Sequence, residues 1–244
     1  MSLEEFAKNI DKMTVGLDDT FKFHCNRCGL CCINREDILL NPRDIYRMAK
    51  ALGVTPGEFC FSYCESYIGE NTRIPIVRLR PRGQHKVCPL LDGNKCKVHK
   101  AKPAVCAMYP LGRYMAVDKD NYNAEGVAKA EVKYLLQPIE CGDDSETHTV
   151  RDWLSNFNIE LEDQAFIRWQ QTISSLSTLL KELEKKWDPI TLLGIWFVVR
   201  NWLYEMYETD KEFLPQFEHN VEHLMSLLQD IPKLKEMIKD AIRP

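Results

Sequence analysis

The chain has 244 residues, 45% hydrophobic and 28% charged, with a formal net charge of −4. That is enough for one large domain or two small ones with an ordinary core, and the acidic balance speaks against a general nucleic-acid binder. The polar N-terminus MSLEEFAKNIDKM lacks the form of a secretory signal, and the most apolar run, PITLLGIWFVV at 189–199, is too short to span a bilayer as a helix, so a cytoplasmic protein without membrane contact is expected.

Early in the chain stands FHCNRCGLCCINRED (23–37), with Cys25, Cys28, Cys31 and Cys32 in C-x2-C-x2-C-C spacing. A C-x2-C turn puts two sulfurs on one metal centre, and three thiols from one loop is the pattern of bacterial ferredoxins. Cys31 and Cys32 are adjacent, so in an extended segment their side chains point apart and serve two different centres. His24, just before the first thiol, is placed to orient a ligand through a hydrogen bond.

NPRDIYRMAKALG (41–53) predicts a helix capped by Asn41, with Pro42 in its first turn and Gly53 at its end. TPGEFCFSYCESY (55–67) opens with Thr55 and Glu58 at capping-box spacing and predicts a helix over 56–65. Cys60 and Cys64 then share one face and read as small core residues beside Phe59, Phe61 and Tyr63, with metal binding or a redox-sensitive pair as the alternatives. RIPIVRLRP (73–81) alternates like a strand, and CKVH (96–99) is its candidate partner.

The second cysteine motif is VCPLLDGNKCKVHKAKPAVCAMYP (87–110). It supplies Cys88, Cys96 and Cys106, with His99 as an extra candidate ligand and a turn at Asp92-Gly93-Asn94. A short helix or turn is expected between Pro103 and Pro110, and a strand over 112–120. Cys141, in IECGDD, is the last cysteine.

From about Thr147 the chain reads as helices. Apolar residues recur at 3–4 spacing over 165–187 (Phe166, Ile167, Ile173, Leu176, Leu179, Leu180, Leu183). A second helix runs from Asp188-Pro189 to about Tyr207, and others cover about 210–229 and 232–242. Trp169, Trp187, Trp196, Phe197, Trp202 and Tyr204 read as core. His219 and His223 lie four apart, but Glu218 and Glu222 beside them mark an exposed polar face. The predicted fold is α+β: a small cysteine-rich metal-binding domain over 1–145, then an α-helical bundle over 146–244.

All ten cysteines fall at or before position 141. In a reducing compartment that bias favours metal ligation over disulfides. Cys25, Cys28, Cys31, Cys32, Cys88, Cys96, Cys106 and Cys141 form the candidate ligand set. Eight thiols fit two [4Fe–4S] clusters, or two tetrahedral zinc sites. The three-thiol loop, the Cys88-Pro89 pair and the confinement of thiols to one region favour iron–sulfur, one cluster or two; zinc is the alternative.

CNRCGLCC followed by CPLLDGNKCKVHKAKPAVCAMYP resembles the YkgJ-type cysteine-cluster proteins, described as zinc- or iron-chelating proteins or iron–sulfur oxidoreductases. The agreement covers the first seven thiols of the set with Pro89, Leu91, Gly93, Pro103, Tyr109 and Pro110, and a later Cys followed by a small residue at Cys141-Gly142. Lys102 stands where an Arg is common, His99 where an aromatic is usual, and CAMYP replaces Cys-Arg-aromatic-Pro. The resemblance spans about 23–142 and implies zinc or iron chelation or an iron–sulfur oxidoreductase. Separately, eight thiols suffice to close both clusters, which favours electron transfer or a structural role, with a zinc-stabilised binding module as the alternative. The flagellin lysine N-methylases share a related cysteine domain, so a protein-modifying activity is an analogy only. The C-x3-C-x2-C loop of radical enzymes is absent, as are a phosphate-binding loop, H-E-x-x-H and G-x-S-x-G; whether the protein is an enzyme stays open.

Arg73, Arg78, Arg80, Arg82, Lys86, Lys95, Lys97, Lys100 and Lys102 concentrate cations at 73–102. Such cations stabilise an anionic cluster and raise its potential, or receive an acidic redox partner or an anionic substrate. A solvated strand edge is the plain alternative.

Overall fold

Asn41 and Thr55 each begin a helix in the computed structural model, which describes residues 9–117 and 124–242. The first half holds β1 (Thr14–Val15), β2 (Thr20–His24), β3 (Leu39–Leu40), α1 (Pro42–Leu52), α2 (Pro56–Tyr63), β4 (Cys64–Ile68) and β5 (Pro75–Leu79). Then come β6 (Leu91–Asp92), β7 (Lys95–Cys96), α3 (Ala104–Met108), β8 (Leu111–Ala116), α4 (Ala124–Lys129), β9 (Glu131–Leu136), β10 (Asp143–Thr149) and α5 (Val150–Ser155). Four helices follow: α6 (Gln164–Glu184), α7 (Pro189–Tyr204), α8 (Phe213–Gln229) and α9 (Ile231–Ile242). The fold is α+β, as expected.

Both capping boxes form. The Asn41 side chain accepts from Asp44 N–H at 2.9 Å while the Asp44 carboxylate accepts from Asn41 N–H at 3.2 Å, and Thr55 and Glu58 do the same for α2. Gly53 closes α1 at φ 69°, a left-handed conformation that glycine adopts without a Cβ penalty.

α2 is shorter than the sequence suggests. It stops at Tyr63, and Cys64 opens β4, which pairs antiparallel with β5. Strand 75–79 therefore takes its partners from 64–68 and from β3, in the order β3-β5-β4. The 96–99 segment is not a partner: Lys95–Cys96 closes a two-residue hairpin on Leu91–Asp92. A β-turn around Gly93 (φ 55°) joins strands too short for long-range pairing to compete. The strand expected over 112–120 is β8, pairing with β9; positions 118–120 lie outside the described residues.

The largest core joins both halves. Ile45, Met48, Phe59 and Val77 pack in one cluster with Leu176, Leu180, Ile195, Val199 and Leu203. Position 145/146, where the composition changes, falls inside β10, and β10 pairs with β2. A second core, with Phe21, Phe23, Met108, Tyr134, Trp153 and Leu154, lies under that pairing; Trp153 Nε1 donates to the Met108 carbonyl at 3.0 Å. Phe61, expected in the core, is 84% exposed. Among the described residues no helix is long and apolar enough to cross a membrane.

Candidate metal centre

The first thiol loop starts where β2 ends. Phe21 and Phe23 are buried, which anchors the strand and delivers the chain at Cys25. The loop then curls through left-handed Arg27 (φ 54°) and Gly29 (φ 78°) into a 3-10 turn over Leu30–Cys32, and Cys32 N–H donates to the Gly29 carbonyl at 2.9 Å. Cys25, Cys28 and Cys31 are exposed and Cys32 is half-buried.

Cys31 and Cys32 do not point apart. Their sulfurs lie 3.9 Å from each other. The expectation assumed an extended segment, in which neighbouring side chains point to opposite faces; in a 3-10 turn they stand only about 120° apart, and their sulfurs can meet.

The second motif is brought to the first by backbone pairing. Asn34 N–H donates to the His85 carbonyl, Arg35 N–H to that of Lys86, and Cys88 N–H to the Cys32 carbonyl at 2.8 Å. The β6–β7 hairpin returns Cys96 toward Cys88, and Lys97 N–H donates to the Leu90 carbonyl. Pro103 begins α3, which carries Cys106. The free N–H of Ala104 at that helix start is taken by the Asp44 carboxylate at 2.9 Å.

Cys141 arrives from the other side. Asp143 of β10 sits opposite His24 and accepts from the Asn26 side chain at 3.2 Å. Between them Gly142 has φ 83°, and a Cβ there would lie 2.4 Å from the His24 carbonyl oxygen, so the close approach requires glycine. The Tyr109 hydroxyl accepts from Glu140 N–H at 2.8 Å and donates to the Cys141 sulfur. No local sequence pattern pairs Tyr109 with a thiol 32 positions on.

Burial raises the pKa of Cys88, Cys96, Cys106 and Cys141, and neighbouring thiols add to it: Cys96 at Cys88, Cys88 at Cys106, and Cys31, Cys28 and Cys25 at Cys141. Cys31 acts on the widest range of partners, among them Cys32, Cys96, Cys106 and Cys141. The hydrogen bond from Cys32, helped by Lys102 and Arg35, lowers Cys31 to about 6, while the same bond holds Cys32 protonated. Burial pushes Cys106 up to about 12 against the pull of Arg35 and Lys102. Arg35 is a contributor that no spacing rule singled out.

Among the described residues no three Cys, His, Asp or Glu side chains are gathered closely enough to hold an ion. The donor chemistry nonetheless fits zinc or iron: thiols from two sequence motifs and Cys141, with two cations at hand. Binding then requires the thiols of both motifs and Cys141 to close in on the ion.

Other candidates resolve differently. Cys60 and Cys64 are buried in the main core and hydrogen-bonded to each other. His99 is half-buried, its pKa lowered by burial and by Lys102 and Arg27. His24 Nδ1 meets Glu146 at 2.9 Å, and His148 meets the same carboxylate at 3.3 Å. The His219 and His223 rings lie 6.4 Å apart, with His223 packed on Trp202 at 4.2 Å.

Much of the basic segment is occupied internally. Arg73 pairs with Glu184, Arg78 with Glu65 at 2.7 Å, and Lys86 with Glu36. Arg80 donates to the Phe61 and Ser62 carbonyls, and Arg82 to those of Cys88 and Leu91. Lys95, Lys97 and Lys100 remain exposed, while Lys102 lies 4.4 Å over the Phe157 ring.

Neither a curated protein nor a solved structure matches the chain. Residues 24–131, which hold seven of the eight candidate thiols and stop short of Cys141, match the CxxCxxCC family model, described as a "putative zinc- or iron-chelating domain", and this carries the cysteine-cluster resemblance through to metal binding.

Proposed function

We propose that the chain is an iron–sulfur protein with a redox or electron-transfer role, holding two [4Fe–4S] clusters. One takes Cys25, Cys28, Cys31 and Cys141, the other Cys32, Cys88, Cys96 and Cys106. The observation that carries this reading is the convergence of the two cysteine motifs, tied by Cys88 N–H to the Cys32 carbonyl and meeting at the Cys31–Cys32 contact, with Cys141 brought in by the β2–β10 pairing. The three-thiol loop and the Cys88-Pro89 pair add support.

Bound clusters supply one-electron chemistry. The chain's own residues set their surroundings. Arg35 and Lys102 place positive charge beside both sets, which favours the reduced, more negative state. The Tyr109 hydroxyl holds the Cys141 sulfur, and Cys88 N–H ties the two motifs together. Exposed Lys95, Lys97 and Lys100 offer a landing surface to an acidic redox partner.

One distance favours zinc. Two thiolates on one tetrahedral zinc, at bonds of ~2.3 Å, lie about 3.8 Å apart, and Cys31 and Cys32 stand at 3.9 Å. Metal and sulfide analysis of protein purified without oxygen separates the readings. About eight iron and eight acid-labile sulfide per chain are expected; stoichiometric zinc without sulfide overturns the proposal and makes the domain a structural binding module.

A further inference from the structure

A cavity of about 400 Å³ opens behind the helix that carries Cys106. Leu39, Ile76, Val105, Phe166, Trp169 and Ile173 form its apolar body. That size and lining are typical of sites for small organic molecules.

One end of the cavity is different. Asn41, Asp44, Arg113 and Phe166 line both the cavity and a smaller enclosed space that also reaches Arg43, Arg47 and Asp163. Arg113 lies 3.9 Å over the Phe166 ring and donates to Asp163 Oδ2 at 2.8 Å. Arg43 donates to the other Asp163 oxygen at 2.8 Å. Asp44 is likewise engaged, one oxygen by Ala104 N–H and the other by Asn41 N–H. Both carboxylates therefore have partners on each oxygen. Arg47 is the odd group out: half-buried, close enough to feel Asp44, Asp163 and Arg43, and without a hydrogen-bond acceptor among the described residues. Around the smaller space three guanidiniums face two carboxylates, so the wall it shares with the cavity at Asn41, Asp44, Arg113 and Phe166 borders an excess of one positive charge. A partly desolvated guanidinium with spare donors recruits a carboxylate or similar anion.

We propose that this cavity binds a small apolar monocarboxylate, with its carboxylate at Arg113, where the cavity borders the smaller space that Arg47 lines, and its hydrocarbon body along Phe166 and Trp169. The inference does not depend on which metal the thiols hold. It gives Trp169 and Phe166 a binding role that the core reading of the helical aromatics does not.

The test uses the metal-loaded full chain and isothermal titration calorimetry with octanoate, octylamine and 1-octanol. Octanoate binds at one per chain, and octylamine at least tenfold more weakly. Arg47→Gln, at a side chain that makes no hydrogen bond to the described residues, weakens octanoate at least tenfold and leaves 1-octanol unchanged. Ile173→Phe, which fills the cavity from α6, weakens both. Absence of octanoate binding, equal binding of octylamine, or unchanged octanoate affinity in both variants overturns the proposal. Metal content and thermal midpoint of each variant are measured alongside, so that loss of the fold is not taken for loss of the site.

Discussion

Cys31 and Cys32 touch because the loop that carries them is a 3-10 turn, and the proposed centres place them in different ligand sets. On that partition, ligand losses combine in a defined way. Cys28→Ser and Cys141→Ser remove ligands of one centre, so the double variant retains the same metal as either single variant, about four iron per chain. Cys141→Ser and Cys96→Ser strike different centres, so that pair retains almost none. Iron analysis of the five proteins checks this, and equal losses in both double variants would refute the partition. The motif spacing in the sequence marked eight candidate thiols. It gave no partition between centres, because which thiols meet depends on which strand end meets which turn.

At the scale of elements, Asp44 ties α1 to α3. One oxygen completes the capping box of α1 and the other holds Ala104 N–H, two residues before Cys106. Asp44→Ala leaves both donors without a partner and lowers stability by about 1–3 kcal/mol in urea denaturation. Burial raises the pKa of this carboxyl above its ordinary value. The folded chain then binds that proton more tightly than the unfolded chain, so stability falls as pH rises from the ordinary Asp range through the raised value. Asp44→Asn does not titrate. The stability of the wild type relative to that variant should therefore be highest in acid and decline across that window; a flat difference between the two curves would remove Asp44 as its source. The capping signals of α1 and α2 lie within four residues and were legible. The partner of β5 was not, since Cys64–Ile68 carries a helix-like spacing from Cys60 and two-residue strands such as β6 and β7 show no periodicity at all.

At the scale of the molecule, one core serves both halves. Cys88, Cys96 and Cys106 pack at the edge of the cluster that contains Leu176, Leu180 and Ile195. The helical periodicity of 164–242 announced an apolar face but not its target, which is α1, α2 and the β3-β5-β4 sheet. A fragment of residues 1–145 loses that cover and also cuts β10. It should give no cooperative thermal transition and should bind an apolar dye under conditions where the full chain does not. A fragment that melts cooperatively would show that the first half folds alone.

The β2–β10 pairing sets Cys141 beside the first thiol loop although it lies 116 positions after Cys25. During synthesis at about 5–20 residues per second, the first thiol waits roughly 6–23 s for that partner to be made. For that interval the nascent chain presents nucleophilic thiols without their final neighbours. Capture of metal before the chain is complete must begin from a partial ligand set, and the last strand to arrive closes it.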